Sequence, residues 1–280
     1  MQIFREIKPL RAFLVEKWRA GQSPGFVPTM GALHQGHLTL IAASRASHPF
    51  TVCSVFVNPT QFNNAEDFAK YPRNIERDIV LLEQAGCDVL FCPDEAEMRP
   101  DSHFLNFDFG HLDKVMEGKY RPGHFSGVAQ VVSKLFHIVE PDTAYFGQKD
   151  WQQFVIIRTL VNELKFNVKL QAVETVREPD GLALSSRNER LSEGQRKEAT
   201  ALARNLKKAR EQLLHGNSVE DVKKSMVDTF NQIEVVQLEY FEIVNAENLT
   251  PIETVADADR AILCMAAYAG GVRLIDNMFV

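Results

Sequence analysis

The 280-residue chain has only four cysteines, Cys53, Cys87, Cys92 and Cys264, and no Cys-x-x-Cys pair. It therefore shows neither a disulfide framework nor a cysteine-built zinc site. Cys53 and Cys92 fall in apolar, strand-like runs, so buried free thiols and a reducing compartment are expected. No run approaches 18 apolar residues, so no membrane span is expected. The N-terminal MQIFREIKPLRAF mixes acidic and basic residues without an apolar stretch. It does not read as a signal peptide, and a cytoplasmic location is expected. Positive charge is not in excess: 31 Lys and Arg against 37 Asp and Glu leave a net −6. That argues against a nucleic acid or an anionic membrane as partner. Repeats and low-complexity stretches are absent as well. What remains, 45% apolar and 24% charged residues, fits a globular chain of one large or two smaller domains.

The most informative stretch is GFVPTMGALHQGHLTLI, residues 25–41. Gly25 to Pro28 has the length of one buried strand. It runs into Thr29, Met30 and Gly31, and a periodic helix follows from about Gly36. Strand, glycine turn and helix start together make an anion site in open α/β sheets, because free N–H groups and the positive dipole end face the strand tip. His34 and His37 lie three apart, so both can face that spot if the first turn includes His34. Three readings stand side by side: two locally satisfied histidines, a zinc-binding His-x-x-His pair lacking a third ligand, and a nucleotide site. Gly31-x4-Gly36 has P-loop glycine spacing, but His37 and Leu38 occupy the Lys and Ser/Thr positions, which excludes Walker chemistry.

Along the chain, residues 3–20 read as an amphipathic helix with Ile7, Leu10, Leu14 and Trp18 on one face. Thr51 to Val57 is a strand apolar on both faces, ending in a polar loop, 58–63. Asn74 to Gly86 reads as a helix, and Asp88 to Cys92 as a third strand. Residues 94–125 are less regular; within VMEGKYRPGHFSG, residues 115–127, the choice lies between a solvated turn and a mobile flap over anionic ligands. A helix is expected over 126–139, a fourth strand over 143–146 and a fifth over 168–176. Strands alternating with helices imply a Rossmann-like, doubly wound parallel sheet, whose site lies beyond the strand C-terminal ends. The loops at 29–36 and 58–63 are thus expected at one mouth. The turn cluster 177–181 marks the domain boundary, giving a domain 1–176 and a smaller C-terminal α+β domain 177–280. The latter is expected to have helix over 195–231 and an antiparallel sheet after 234. Lys149 stands at a strand tip, placed as a point charge for phosphate. Gln153 follows one helical turn later. Ser185, Ser186 and Arg187 can grip polyphosphate, or simply cap the next helix.

PTMGALHQGH, FVNPTQF, YRPGHFSGV, FGQKDWQQ and LSSRN, in that order, closely resemble the pantoate–β-alanine ligase family. The likeness is strong over 25–190 and weaker beyond. His34 to His37 resembles the His-x-Gly-His element of the wider nucleotidyltransferase superfamily. The resemblance implies an ATP-dependent, AMP-forming ligase: ATP and pantoate give pantoyl-adenylate and pyrophosphate, and β-alanine then displaces AMP to give pantothenate. It implies ATP contacts from Met30, Gly31, Ala32, Leu33, His34, Gln35, Gly36 and His37. Phosphates would meet His34 and His37, and His37 matches the family's general acid. Gly147, Gln148, Lys149 and Asp150 would hold ribose and phosphate, with Lys149 at the α-phosphate. Val176 would meet adenine through its backbone. Leu184, Ser185, Ser186 and Arg187 would close over the β- and γ-phosphates on a hinged, lid-like second domain. Gln61 and Gln153 would bind pantoate, and Gln61 would also neighbour β-alanine. Mg²⁺ would ride on phosphate oxygens, with Asp78 a candidate ligand, and a homodimer is the family expectation. Leu184 stands where the family carries Met, a swap that keeps volume and apolarity.

The implied chemistry suits the residue types. A carboxylate attacking the α-phosphorus needs no enzyme nucleophile; it needs in-line positioning and cations where charge builds. Two other functions stand beside the ligase: an adenylyltransferase of the same superfamily acting on another small acid or phosphate, and a nucleotide-sensing module without turnover.

Overall fold

In a computed structural model, residues 1–98 and 105–280 are described. Of the irregular stretch 94–125, residues 99–104 lie outside the described residues. The chain divides into two compact units, Met1–Gly147 with Ile156–Glu174, and Gln148–Val155 with Thr175–Val280.

Among the described residues the first unit is built on six strands: β1 (Gln2–Phe4), β2 (Gly25–Thr29), β3 (Thr51–Val55), β4 (Val89–Phe91), β5 (Thr143–Gly147) and β6 (Lys169–Val173). All pair in parallel, in the order β1-β4-β3-β2-β5-β6. The chain steps outward from β2 through β3 to β4, then returns to place β5 on the other flank of β2. The strand order therefore reverses between β2 and β5, and ligands of open α/β sheets bind at such a switch point.

Helices α1 (Ile7–Arg19), α2 (Gln35–Ser47), α3 (Ala65–Ala69), α4 (Ile75–Gln84), α5 (Glu95–Met98), α6 (Met116–Tyr120) and α7 (His124–Val139) belong to this unit, and α8 (Trp151–Leu164) follows β5. α1 buries Leu10 and Leu14, the face that its periodicity predicts. One core cluster packs Val27, Leu33, Ile41, Cys53, Leu82 and Leu90, all at 1% exposure or less.

The second unit contains α9 (Glu193–Ala199), α10 (Ala201–Leu214) and α11 (Val219–Phe230), packed on an antiparallel sheet of β7 (Val236–Asn245), β8 (Ala261–Ala269) and β9 (Val272–Phe279). Its core runs from Leu182 through Leu202, Leu206, Val222, Leu263 and Met265. Ser192 begins α9 with a reciprocal cap: its Oγ accepts from Gln195 N and its own N–H donates to Gln195 Oε1 at 3.0 Å.

Four sequence expectations are corrected. Residues 2–4 are an edge strand and not the start of the first helix; three residues carry too little periodicity to be read. The expected single helix over 195–231 is three, broken at Thr200 and at 215–218. The loop after β3 holds a 3₁₀ turn, Pro59–Gln61, capped by Asn58. Residues 115–127 are a solvated turn only at 119–123, where Lys119, Tyr120, Pro122 and Gly123 are exposed; the ends on either side are buried. Met116, Glu117 and Gly118 are buried in α6, and His124 and Phe125 open α7 buried.

All four cysteines are free and buried, as their apolar surroundings suggest. Burial pushes the Cys53 thiol well up and that of Cys87 up to about 12. At pH 8 Cys87 is then almost entirely the unreactive thiol. Native protein is expected to react with Ellman's reagent far more slowly than denatured protein, in which all four thiols titrate. Rapid stoichiometric labelling of the native state would contradict this.

Candidate active site

The loop leaving β2 is held from within. Thr29 Oγ1 donates to Ser54 O at 2.7 Å and accepts from Gly31 N at 3.1 Å. Gly31 takes φ +79°, which glycine allows freely. Ala32 N and Leu33 N donate to Asp78 Oδ2 and Oδ1 at 3.0 and 2.8 Å. His34, at φ −141°, is the cap of α2 and not part of its first turn.

The two histidines then cap the helix reciprocally. His34 Nδ1 accepts from Gly36 N at 3.1 Å, and His37 Nδ1 accepts from His34 N at 3.3 Å. Their ring centroids are 4.1 Å apart. A backbone amide can only donate, so each Nδ1 is an acceptor and the neutral ring carries its proton on Nε2. The pair thus presents two Nε2–H donors. Most amides of the 31–36 turn have protein partners, so the imidazoles replace much of the bare N–H array expected from a strand–turn–helix anion site.

Next along the sheet edge, β2 and β3 run in register from Gly25↔Thr51 to Thr29↔Val55, which brings their following loops together. Gln61 Nε2 lies 2.6 Å from Met30 Sδ. Gln61 is only 6% exposed, and α7 fixes its backbone. His124 Nδ1 donates to Gln61 O at 2.7 Å, leaving His124 Nε2 to accept from Arg121 at 3.2 Å. Arg121 in turn pairs with buried Glu117 at 3.4 Å. Asn58 Nδ2 donates to Gly127 O at 3.0 Å. A Cβ on Gly127 would stand 2.4 Å from Thr60 O, so only glycine lets α7 approach this closely. The basic motif 115–127 therefore braces the glutamine loop from behind.

In the second unit, Gln148, Lys149 and Asp150 form a 3₁₀ turn directly after β5, whose last residue is Gly147. Lys149 Nζ lies 3.5 Å from Asp150 Oδ2. Asn277, on β9, donates from Nδ2 to both Gln148 O and Lys149 O at 2.8 Å. Arg177 grips Asp276 with two bonds, 2.7 and 2.9 Å, and also donates to Asn277 O. Gln153 is half-buried in the first turn of α8. Val176 O accepts from Leu184 N at 3.0 Å, closing a short hairpin that carries Leu184 to Arg187. Ser185 Oγ caps the following 3₁₀ turn by accepting from Arg187 N, and buried Asn188 ties the turn to Ala183 O.

Among the described residues no group of three or more His, Cys, Asp or Glu side chains could hold a metal ion. Asp78 is 1% exposed, with each oxygen facing a loop amide. Asn58, Asp276 and Asn277 are supporting residues that sequence reasoning missed, and His124 is one that it placed only in a turn or flap. Their roles depend on partners as far as 129 positions away, which no local motif reports.

A parallel sheet with its switch point beside β2, a histidine-capped helix at that strand's tip and a glutamine loop alongside are the parts of an α/β nucleotide-handling enzyme. A family model described as pantoate-beta-alanine ligase matches residues 2–279, and the chain belongs to that family. A pantothenate synthetase from Cytophaga hutchinsonii is 49% identical over 275 residues, covering 98% of this chain and 97% of that one. Another from Porphyromonas gingivalis is 47% identical over 278 residues, 99% of each chain. The crystal structure of pantothenate synthetase from Thermus thermophilus superposes with a TM-score of 0.93 at 43% identity, covering 99% of both chains. The pantoate-beta-alanine ligase of Francisella tularensis, solved with beta-gamma ATP and beta-alanine, gives 0.81 at 36% identity over 99% of this chain and 97% of that one.

Proposed function

We propose that this chain joins pantoate to β-alanine in an amide bond, using ATP and passing through pantoyl-adenylate. The observation that carries the residue assignment is the histidine pair, whose Nδ1 atoms accept from loop amides, so that each neutral ring carries its donor hydrogen on Nε2. In the first step the pantoate carboxylate oxygen attacks the α-phosphorus, and the bond to the bridging oxygen of pyrophosphate breaks. Negative charge then builds on the leaving pyrophosphate. His34 and His37 stabilise it by hydrogen bonds, and Lys149 and Arg187 by charge. Met30 to His37, Gly147 to Asp150, the Val176 backbone and Leu184 to Arg187 are assigned to ATP. Gln61 and Gln153 are assigned to pantoate, since amides match hydroxyls and a carboxylate without adding charge. In the second step the β-alanine amine attacks the acyl carbon and AMP leaves. The adenylate hydrolyses readily, so water must stay out between steps, a task assigned to the second domain, 177–280.

Mg²⁺ is proposed to arrive on the triphosphate oxygens, because the described residues offer no acidic cluster for it. A homodimer and a cytoplasmic location are proposed from the family and from the four free cysteines; light scattering tests the first. The decisive assay is pyrophosphate release that requires pantoate, followed by AMP release that requires β-alanine. Pyrophosphate release without pantoate would end this reading. Gln153→Ala is expected to raise the KM for pantoate at least tenfold and that for ATP little, on the scale of hydrogen bonds left unmade in a polar site. Equal weakening of both would contradict the assignment.

A further inference from the structure

Two consecutive residues of the β2–α2 loop, Gly31 and Ala32, have positive φ, +79° and +50°. Alanine has no intrinsic preference for that region, so the conformation must be imposed from outside the loop. The agent is Asp78, 46 positions away in the first turn of α4. Its two oxygens accept from consecutive amides, Ala32 N and Leu33 N. A carboxylate is at home in a helix's first turn, and a buried one persists only when its oxygens are bonded. The loop is also packed against it: a Cβ on Gly31 would stand 2.8 Å from Asp78 Oδ2 and 2.9 Å from Val55 Cγ1. Leu33, pinned through its amide, sinks its side chain into the core at 1% exposure. The next residue is His34, whose N–H and Nδ1 set both rings of the pair.

We propose that Asp78 is a positioning residue for the His34–His37 pair, fixing through the 31–33 loop where the two Nε2–H donors point, and is not a metal ligand. The proposal rests on the reading of that pair as the phosphate-contacting group. Asp78→Asn is nearly isosteric, but its amide nitrogen sets N–H against one of the two loop amides. The test compares wild type, Asp78→Asn and Asp78→Ala in two separated half-reactions, with thermal melting monitored by circular dichroism. Adenylation is read as pantoate-dependent pyrophosphate release, and aminolysis as AMP release from preformed adenylate. The expected result is a folded Asp78→Asn protein with kcat for adenylation at least tenfold lower, aminolysis within about twofold of wild type, and an unchanged Mg²⁺ concentration dependence. A merely structural role would lower both half-reactions in proportion. That outcome, wild-type adenylation in the variant, or a shifted Mg²⁺ midpoint overturns the proposal. Should both variants fail to fold, hydrogen exchange of the unaltered, unliganded protein decides. Protected Ala32 and Leu33 amides support the proposal, and exchange at open-loop rates overturns it. If wild type itself releases no pyrophosphate from ATP and pantoate, the ligase reading fails, and the exchange measurement still decides what Asp78 does.

Discussion

Replacing His37 by alanine is expected to lower kcat for adenylation by about 10² or more, the usual scale for losing a group that stabilises developing charge. The structure adds a complication and its remedy. His37 also caps α2, accepting from His34 N at 3.3 Å, so alanine removes a cap together with the catalytic donor. A lost cap costs about 1 kcal/mol and would disturb His34 as well. His37→Asn separates the two effects. Its side-chain oxygen can sit where Nδ1 sits and keep the bond to His34 N, while nothing replaces Nε2–H. If the donor is what matters, His37→Asn falls about as far as His37→Ala in pantoate-dependent pyrophosphate release. If the cap is what matters, His37→Asn recovers most of the rate. Wild-type adenylation in both variants would remove His37 from the mechanism.

The same residues show what a sequence can report. The i,i+3 spacing of His34 and His37 suggests neighbouring rings through a shared first turn; the centroids are 4.1 Å apart, but with His34 outside that turn. It does not say which nitrogen turns inward, because that depends on His34 leaving the helix as its cap. The parallel strands were legible wherever a run of apolar residues is buried on both faces, as in Thr51–Val55. They were illegible at Gln2–Phe4, where two of three side chains are exposed. Residues 115–127 look like a surface loop because Gly, Pro, Lys and Arg dominate them. The burial of the two ends comes from contacts such as His124 to Gln61 O, made across 63 positions. From sequence Asp78 is only a candidate Mg²⁺ ligand; its bonds to two loop amides 45 and 46 positions away show in the structure alone.

The second large effect is on stability. Arg177→Ala is expected to destabilise the protein by about 3 kcal/mol, the low end for breaking a buried ion pair because Arg177 keeps some contact with water. The bidentate bonds to Asp276, at 2.7 and 2.9 Å, hold a carboxylate whose side chain is only 2% exposed. Alanine would leave that charge buried and without its main counter-ion. For a chain of this size the change corresponds to a fall in Tm of about 6–12 °C, readable in a thermal melt. Removing both partners, in Arg177→Ala with Asp276→Asn, should restore part of the loss, because the lone buried charge costs more than the missing pair. A functional loss should follow from the same network. Asp276 Oδ1 accepts from Asn277 N at 2.7 Å, and Asn277 holds the carbonyls of Gln148 and Lys149. Arg177→Ala should therefore lower adenylation even at temperatures where it is fully folded. A variant that melts within about 2 °C of wild type would mean the ion pair contributes little, as exposed pairs do.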